Sequence, residues 1–328
     1  MTVSRPHIAI IGAGQLGSRH LQGLSNINQD VIITVVDPIS DALELAQKRF
    51  KEMPLNSCVR SVNYHQDIPW LDGEVDLAIL ATNADLRRNV IEELVNNSRV
   101  KYLILEKVVF QSVDDFKEVM LLFEEREIKA WVNCPRRIYP FFRKLWKETI
   151  EADLLKISVK GSSWGLASNT IHMLDLLAFL SGQIEINIDF RDLDDKVYEA
   201  KKKGFIELGG RLWAETDRGD VLELIDDRQK DIPSQLNIEF NESSFEIDQQ
   251  QGLVRACSHD GNKYDERSFH MPLQSDLTAG VAEEILKTGS SSLTPLDESY
   301  LLHCPMLDAF NTHLSSVLNK QVIICPIT

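Results

Sequence analysis

The sequence predicts a parallel α/β nucleotide fold followed by an α+β domain built on a mostly antiparallel sheet. Three observations predict it. Residues 1–133 alternate short apolar, β-rich runs with longer runs of helical period; a glycine-rich turn follows the first run; and the rhythm changes after Cys134. Regular β–α alternation implies parallel strands joined by right-handed crossovers. A β/α barrel would need eight such units, which the later sequence does not hold.

In order along the chain, strands are expected at His7–Ile11, Val31–Val36, Ser61–Tyr64, Val75–Ala81, Tyr102–Leu105 and Ala130–Asn133. The run Val31-Ile32-Ile33-Thr34-Val35-Val36 is apolar on both faces, as a strand covered by two helix layers must be. Helical stripes are Leu86, Val90, Ile91 and Leu94 in Asp85–Asn97, and Val113, Phe116, Val119, Met120 and Phe123 in Ser112–Glu127. Beyond Cys134 come a helix over Phe141–Ile150, a strand over Leu155–Lys160 and a strongly apolar helix over Asn169–Leu180. That helix stops at Ser181-Gly182, where glycine takes the left-handed position. Short alternating runs then read as the antiparallel sheet: Ile184–Phe190, Gly204–Leu208, Arg211–Thr216, Leu236–Phe240 and Ser244–Asp248. Helices over Gln274–Thr288 and Leu296–Leu318 close the chain. The expected domains are 1–133 and 134–328, with the last helix able to pack back on the first.

Composition bounds the partners. The 328 residues carry 50 acidic against 35 basic side chains, a net charge of −15. Such a chain offers no basic face for phosphate backbones or anionic membrane, so neither nucleic acid nor membrane is expected as a partner. There is no bilayer-length apolar run and no signal-peptide pattern, which fits a cytoplasmic protein. Cys58, Cys134, Cys257, Cys304 and Cys325 are scattered and odd in number, and are expected to be free buried thiols. His65, His259, His270, His303 and His313 show no metal spacing, so no metal is expected.

The segment Ile11-Gly12-Ala13-Gly14-Gln15-Leu16-Gly17 places G-x-G-x-x-G between the first strand and a helix. Gly12 permits the tight turn, Gly14 leaves room for a pyrophosphate, and Gly17 lets helix and strand pack closely. The N-terminus of the helix, around Gln15 and Leu16, offers N–H groups and partial positive charge to phosphate. Asp37 follows Gly17 by 20 residues at the end of the second strand, where it can accept both ribose hydroxyls and repel a 2′-phosphate. Pro38-Ile39-Ser40 brings no cation to reverse that. The expected cofactor is NAD rather than NADP; the competing roles are a glycine turn tightened for its own sake and Asp37 as a strand-end cap.

Further segments carry a resemblance. Ala81-Thr82-Asn83-Ala84-Asp85-Leu86-Arg87 is similar to A-T-P-N-x-x-H, with Asn83 for Pro and Arg87 for His. Glu106-Lys107-Val108 matches Glu-Lys-Pro except at valine. Arg136-Arg137-Ile138 resembles Arg-Arg-Phe, Asn169–Leu177 resembles G-x-H-x-x-D-L-L, and Leu293-Thr294-Pro295 is similar to a T-P before the last helix. Across nearly its whole length the chain resembles the Gfo/Idh/MocA family, named for glucose–fructose oxidoreductase, inositol dehydrogenase and the rhizopine-catabolism proteins. The resemblance implies a Rossmann domain plus an open, mainly antiparallel sheet whose outer face forms a homodimer or homotetramer. It also implies that Ala81, Thr82, Asn83, Glu106 and Lys107 line the cofactor.

Lys107, at the C-terminal end of a parallel strand, can donate a hydrogen bond to a substrate oxygen and stabilise alkoxide character. By resemblance His172 is the catalytic histidine, an imidazole titrating near neutrality and suited to exchange the hydroxyl proton. Asp175, at i+3, can orient it or equally fix the helix in the core. Four residues before His172 the family usually carries Asp; this chain has Ser168, which can hydrogen-bond or cap a helix starting at Asn169 but holds no charge. Arg136 and Arg137 can clamp a phosphate or carboxylate, or form an interdomain salt bridge. Trp164 can stack on a sugar or sit in the core. Non-proline cis bonds cost about 3 kcal/mol, so valine at 108 leaves open whether this loop keeps the family's geometry.

The function expected is NAD-dependent hydride transfer at a carbinol or ketone of a sugar, polyol or nucleotide sugar, with Arg136, Trp164, Ser168, Asn169 and His172 on the substrate. The Cys134-Pro135-Arg136-Arg137 variant resembles members handling nucleotide or surface-glycan sugars more than inositol. The rivals are a sensor of the same fold that has lost turnover and a biliverdin-reductase-like enzyme.

Overall fold

The computed structural model describes residues 5–68, 71, 73–258 and 265–328; His259 and the side chain of Cys257 lie outside that description. Its contacts divide the chain into two compact units: residues 1–110, 114–133 and 272–296, and residues 111–113, 134–271 and 297–328.

In the first unit β1 (His7–Ile11), β2 (Val31–Val36), β3 (Val59–His65), β4 (Gly73–Leu80), β5 (Ser98–Leu105) and β6 (Lys129–Val132) form one parallel sheet in the order β3-β2-β1-β4-β5-β6. Ile10 pairs with Val35 of β2 on one side and with Ile79 of β4 on the other. Helices α1 (Gln15–Leu24), α2 (Ser40–Lys51), α3 (Ala84–Asn97) and α4 (Val113–Glu125) make the crossovers. The burial expected of β2 is present, with Ile33 and Val35 fully buried, and β1 shares it at Ile8, Ala9 and Ile10. Strand order reverses between β1 and β4, and in open sheets that reversal opens a crevice at the carboxyl ends of the strands. β5 starts at Ser98 rather than Tyr102. Its first residues alternate in burial, so no continuous apolar run marks them, and the Ser98 hydroxyl is tied to the Leu71 carbonyl.

The second unit opens with a 3-10 turn, Pro135–Ile138, and continues through α5 (Pro140–Thr149), β7 (Leu155–Gly161), α6 (Leu166–Ser181), β8 (Ile186–Asp189), β9 (Tyr198–Glu199), β10 (Ile206–Glu207), β11 (Gly210–Thr216), β12 (Val221–Asp226), β13 (Gln235–Phe240), β14 (Ser243–Asp248), β15 (Leu253–Ser258) and β16 (Asp265–Ser268). Eight strands form a sheet ordered β16-β15-β14-β13-β7-β12-β11-β8, antiparallel throughout except that β12 runs parallel to β7. β9 and β10 form a separate two-stranded ribbon. β12, β15 and β16 were not expected from the sequence pattern; all four residues of β16 are exposed, so it has no apolar signal to read.

The chain returns to the first unit with α7 (Gln274–Thr288), whose Thr278 packs so tightly on α1 that a Cβ at Gly23 would lie 2.8 Å from the Thr278 Cβ. A two-residue strand, Thr294–Pro295, adds antiparallel to β6. The final helix, α8 (Leu296–Leu318), falls almost wholly in the second unit. The first unit therefore includes α7, and the second unit is not a continuous 134–328. Among the described residues no helix is long and apolar enough to cross a membrane, and no group of three or more His, Cys, Asp or Glu is placed to hold a metal ion.

Candidate active site

Both chain turns at the β1/β4 reversal come together. Gly12 has φ of +94°, donates its N–H to Val36 O at 2.8 Å, and a Cβ there would sit 3.0 Å from Ala81 C and Thr82 N. A Cβ on Gly17 would lie 1.7 Å from Gly12 O, so only glycine lets α1 approach the turn. Gly14 faces open space and is the N-cap of α1 without any side-chain cap. The helix N-terminus is left for an anion. Thr82 Oγ1, beside that opening, is buried without a hydrogen-bond partner among the described residues. An uncapped helix start, a Cβ-free approach and an orphaned hydroxyl fit the pyrophosphate of a dinucleotide.

Asp37 is more engaged than a ribose acceptor alone would be. Its Oδ2 accepts the Ala13 N–H at 2.7 Å and its Oδ1 accepts the Ile39 N–H at 2.9 Å. The carboxylate thus fixes the glycine turn and caps the strand end, with two of its four lone-pair positions left over. The Gln15 amide oxygen accepts Arg49 Nη2 at 2.6 Å, and Arg49 Nη1 also reaches Ser18 Oγ at 2.6 Å. Arg49, on α2, brings a cation to the turn that sequence reasoning missed; no motif marks it. Leu16 is exposed on the first turn of α1, and Asn83 is the N-cap of α3.

Lys107 leaves the end of β5 half-buried, on the same carboxyl edge of the sheet. The Lys107–Val108 peptide is cis although residue 108 is not proline. The guanidinium of Arg87 (1% exposed) braces this loop, donating to the carbonyl oxygens of Val108, Val109 and Thr82. Burial pulls the Arg87 guanidinium down to about 10, against the opposing charges of Glu106 and Asp85.

Glu106 points inward rather than toward a cofactor. It accepts Asn133 Nδ2 at 2.6 Å and lies 2.8 Å from His20 Nε2. His20 Nδ1 in turn meets Thr278 Oγ1 at 3.1 Å. Burial drives the Glu106 carboxyl up, but the bonds from His20 and Asn133 and the charges of His20 and Arg87 outweigh it and hold it below its ordinary value. Its side chain anchors the strand end that presents Lys107, leaving only its backbone to a cofactor. His20, three residues past Gly17, carries no readable signal for this role.

In the second unit α6 starts at Leu166, three residues earlier than expected, with Gly165 (φ +82°) as N-cap. Ser168 therefore lies inside the first turn and is not the cap. The Asn169 amide nitrogen donates to Trp164 O at 2.9 Å and Gly165 O at 3.0 Å, so that side chain shapes the turn. The indole N–H of half-buried Trp164 donates to Ile225 O at 2.9 Å, which fixes the ring to β12. His172 is half-buried on a helix whose other residues from Thr170 to Ala178 are buried.

The two arginines separate. Arg137 binds both oxygens of fully buried Asp175, at 2.7 and 3.2 Å, and Glu298 at 2.7 Å. Burial opposes its charge, but these carboxylates prevail and hold it above its ordinary value. This pair lies within one unit and takes up the Asp175 carboxylate, which favours the core-fixing role for that aspartate. Arg136 keeps a buried Nε without a hydrogen bond among the described residues, and burial pulls its guanidinium below the ordinary value. Cys134 and Cys325 are buried, Cys58 and Cys304 only half-buried, and none of the four forms a disulfide among the described residues.

Gly12, Gly14, Gly17, Ala81, Thr82 and Asp37 thus share one crevice of the first unit, while Trp164, Ser168, Asn169 and His172 gather at the start of α6 in the second. No curated protein sequence matches the chain. Residues 7–134 match the Gfo/Idh/MocA model, described as an oxidoreductase family with an NAD-binding Rossmann fold. The chain is similar to an oxidoreductase from Agrobacterium radiobacter in complex with NAD+, L-tartaric acid and magnesium, at 14% identity and a TM-score of 0.69 over 95% of this chain and 97% of that one. It is similar to a Gfo/Idh/MocA family oxidoreductase from Vibrio cholerae (16% identity, TM-score 0.68, 96% and 100% covered). It is also similar to a 3-ketoreductase from Actinomadura kijaniata in complex with NADP (12%, 0.70, 94% and 98%). Those identities speak for the fold alone; the family match covers the NAD-binding Rossmann domain, the stretch that holds the glycine turn, Ala81-Thr82 and Glu106-Lys107.

Proposed function

We propose that this chain is an NAD-preferring dehydrogenase or reductase acting on a carbinol or ketone of a sugar, polyol or nucleotide sugar. The observation that carries the reading is Lys107, presented by a loop that buried Arg87 braces at the carboxyl edge of the sheet bearing the dinucleotide turn. Gly12, Gly14, Gly17, Thr82 and Asp37 would hold the dinucleotide, which when bound supplies the hydride acceptor or donor. Lys107 donates a hydrogen bond from Nζ to the substrate oxygen and stabilises its developing negative charge. His172 takes the hydroxyl proton in oxidation and returns it in reduction. The buried, unbonded Nε of Arg136 suits an anionic substituent, such as the phosphate of a nucleotide sugar or a carboxylate.

NADH absorbance followed across sugars, polyols, nucleotide sugars and biliverdin tests this. Turnover of a sugar-class substrate that falls at least about 100-fold in both Lys107→Ala and His172→Ala supports it. Tight NADH binding with no turnover would favour a sensor, and turnover of biliverdin alone the other enzyme class. The same reading carries self-association through the outer face of the eight-stranded sheet; sedimentation as a monomer would remove that part.

A further inference from the structure

Helix α6 carries no acidic residue in its first turn, and its N-cap is a glycine. The carboxylates found there come from elsewhere: Asp226 on β12 accepts the N–H groups of Ser163, Gly165 and Leu166, and Glu207 meets the next two residues. Glu207 (7% exposed), on β10, accepts the Ala167 N–H at 2.9 Å, and both the N–H and the hydroxyl of Ser168 bond to it. Gly165 makes the room: a Cβ there would stand 2.9 Å from Ser168 Oγ and 3.2 Å from Glu207 Oε1. Ser168 precedes His172 by four residues, one turn along the same face of the helix.

We propose that Glu207 is a positioning residue for His172: through the Ser168 hydroxyl it brings to this turn the negative charge that residue 168 itself does not carry. The inference rests on the oxidoreductase reading for its consequence in turnover, but not for its effect on the imidazole. A carboxylate one helical turn away favours the imidazolium that forms when His172 accepts a proton.

Of the two carboxylates at this turn it is Glu207 that bonds the Ser168 hydroxyl. Asp226, at the end of β12, is paired with Arg228 at 3.2 Å, whereas Glu207 makes no ion pair among the described residues. Arg137 from the 3-10 turn is consumed by Asp175 and Glu298, and its neighbour Arg136 is the one cation left on that turn. The charged side chains of α5 and β7 are exposed. Burial, and then the neighbouring Glu207, push the Cys325 thiol up to about 12. Burial also lifts the Glu207 carboxyl itself, against the Ser168 and Ala167 hydrogen bonds and Arg228.

A capping role alone would survive Glu207→Gln, because the amide oxygen still accepts the Ala167 N–H. The test is a histidine-selective NMR titration of the ligand-free protein, with His172 assigned by its loss in His172→Asn. The midpoint of His172 is expected to fall by about one pH unit in Glu207→Gln and to recover in Ser168→Asp/Glu207→Gln, where the charge is moved onto the helix. An unmoved midpoint, or a fall that the relocated carboxylate does not reverse, overturns the proposal. Should Glu207→Gln fail to fold, Ser168→Ala takes its place in the titration: a lowered midpoint supports the link and an unchanged one contradicts it. In turnover, kcat should fall about tenfold in Glu207→Gln with KM retained. A wild-type chain that turns nothing over would defeat the function proposed above and leave the NMR result to decide this one.

Discussion

Two buried charges hold the two candidate catalytic side chains, and they have opposite signs. Beside Lys107, the Arg87 guanidinium donates to three carbonyl oxygens where the loop turns its acceptors inward. One turn before His172, the Glu207 carboxylate accepts from the N–H groups that open α6. Each charge matches the backbone groups left over locally, carbonyls in the first case and helix-start amides in the second. The difference lies in what else each can do. Arginine keeps its proton throughout the working range and can only brace, whereas a carboxylate can also exchange a proton or bias a neighbour's.

The largest expected effects come from breaking the braced half. Gly17→Ala drives a Cβ to 1.7 Å from Gly12 O, so the turn must open; NADH binding should be lost and unfolding stability reduced by about 3 kcal/mol or more. Calorimetry of binding and denaturant titration read both. Arg87→Met strands three carbonyls and should cost about 3–5 kcal/mol in the same titration. If stability is retained and only turnover falls, Arg87 serves the chemistry rather than the loop.

Lys107→Ala should leave stability near wild type while kcat/KM drops about 100-fold. A drop confined to KM would make Lys107 a binding group without a share in the chemistry.

The pH contrast is finer. Burial opposes the Glu106 charge but its partners win, so its folded pKa is below the ordinary 4.5. The stability it contributes is complete above that ordinary value and is lost as pH falls through the depressed one. Glu106→Gln should flatten the acid limb of the stability curve and cost about 1–3 kcal/mol at neutral pH, since the amide replaces a charged partner of His20. Glu207, raised by burial, has the opposite sign: its contribution is full below the ordinary value and lost as pH rises through the raised one. Glu207→Gln should therefore flatten the decline in stability as pH rises above the ordinary 4.5, and a flattening only below that value would refute the sign.

Much of the first unit is legible because its signals are continuous. β1 and β2 are mostly apolar runs with the boundaries expected, and the glycine turn fixes where the nucleotide crevice opens. What could not be read depends on contacts between distant segments. Arg87 stands in a motif position, yet nothing in the motif says that its guanidinium reaches carbonyls 21 and 22 residues away. Glu207 lies 39 residues from Ser168 on a two-residue strand, too short to show a period. α6 starts earlier than its sequence suggests because Ser168 looks like a cap, while the helix start is met from β10 and β12 by carboxylates that local sequence does not contain. Asp37 was legible as an acid at the right spacing, but not as the residue that also holds the Ala13 and Ile39 amides.

The most direct measurement is equilibrium binding of NADH against NADPH to the wild-type chain, followed by cofactor fluorescence. Saturable binding of one NADH per chain, at least about tenfold tighter than NADPH and with the margin lost in Asp37→Ala, is the expected result. Tighter NADPH, or no saturable binding of either, would contradict the reading of the glycine turn and Asp37 as an NAD site.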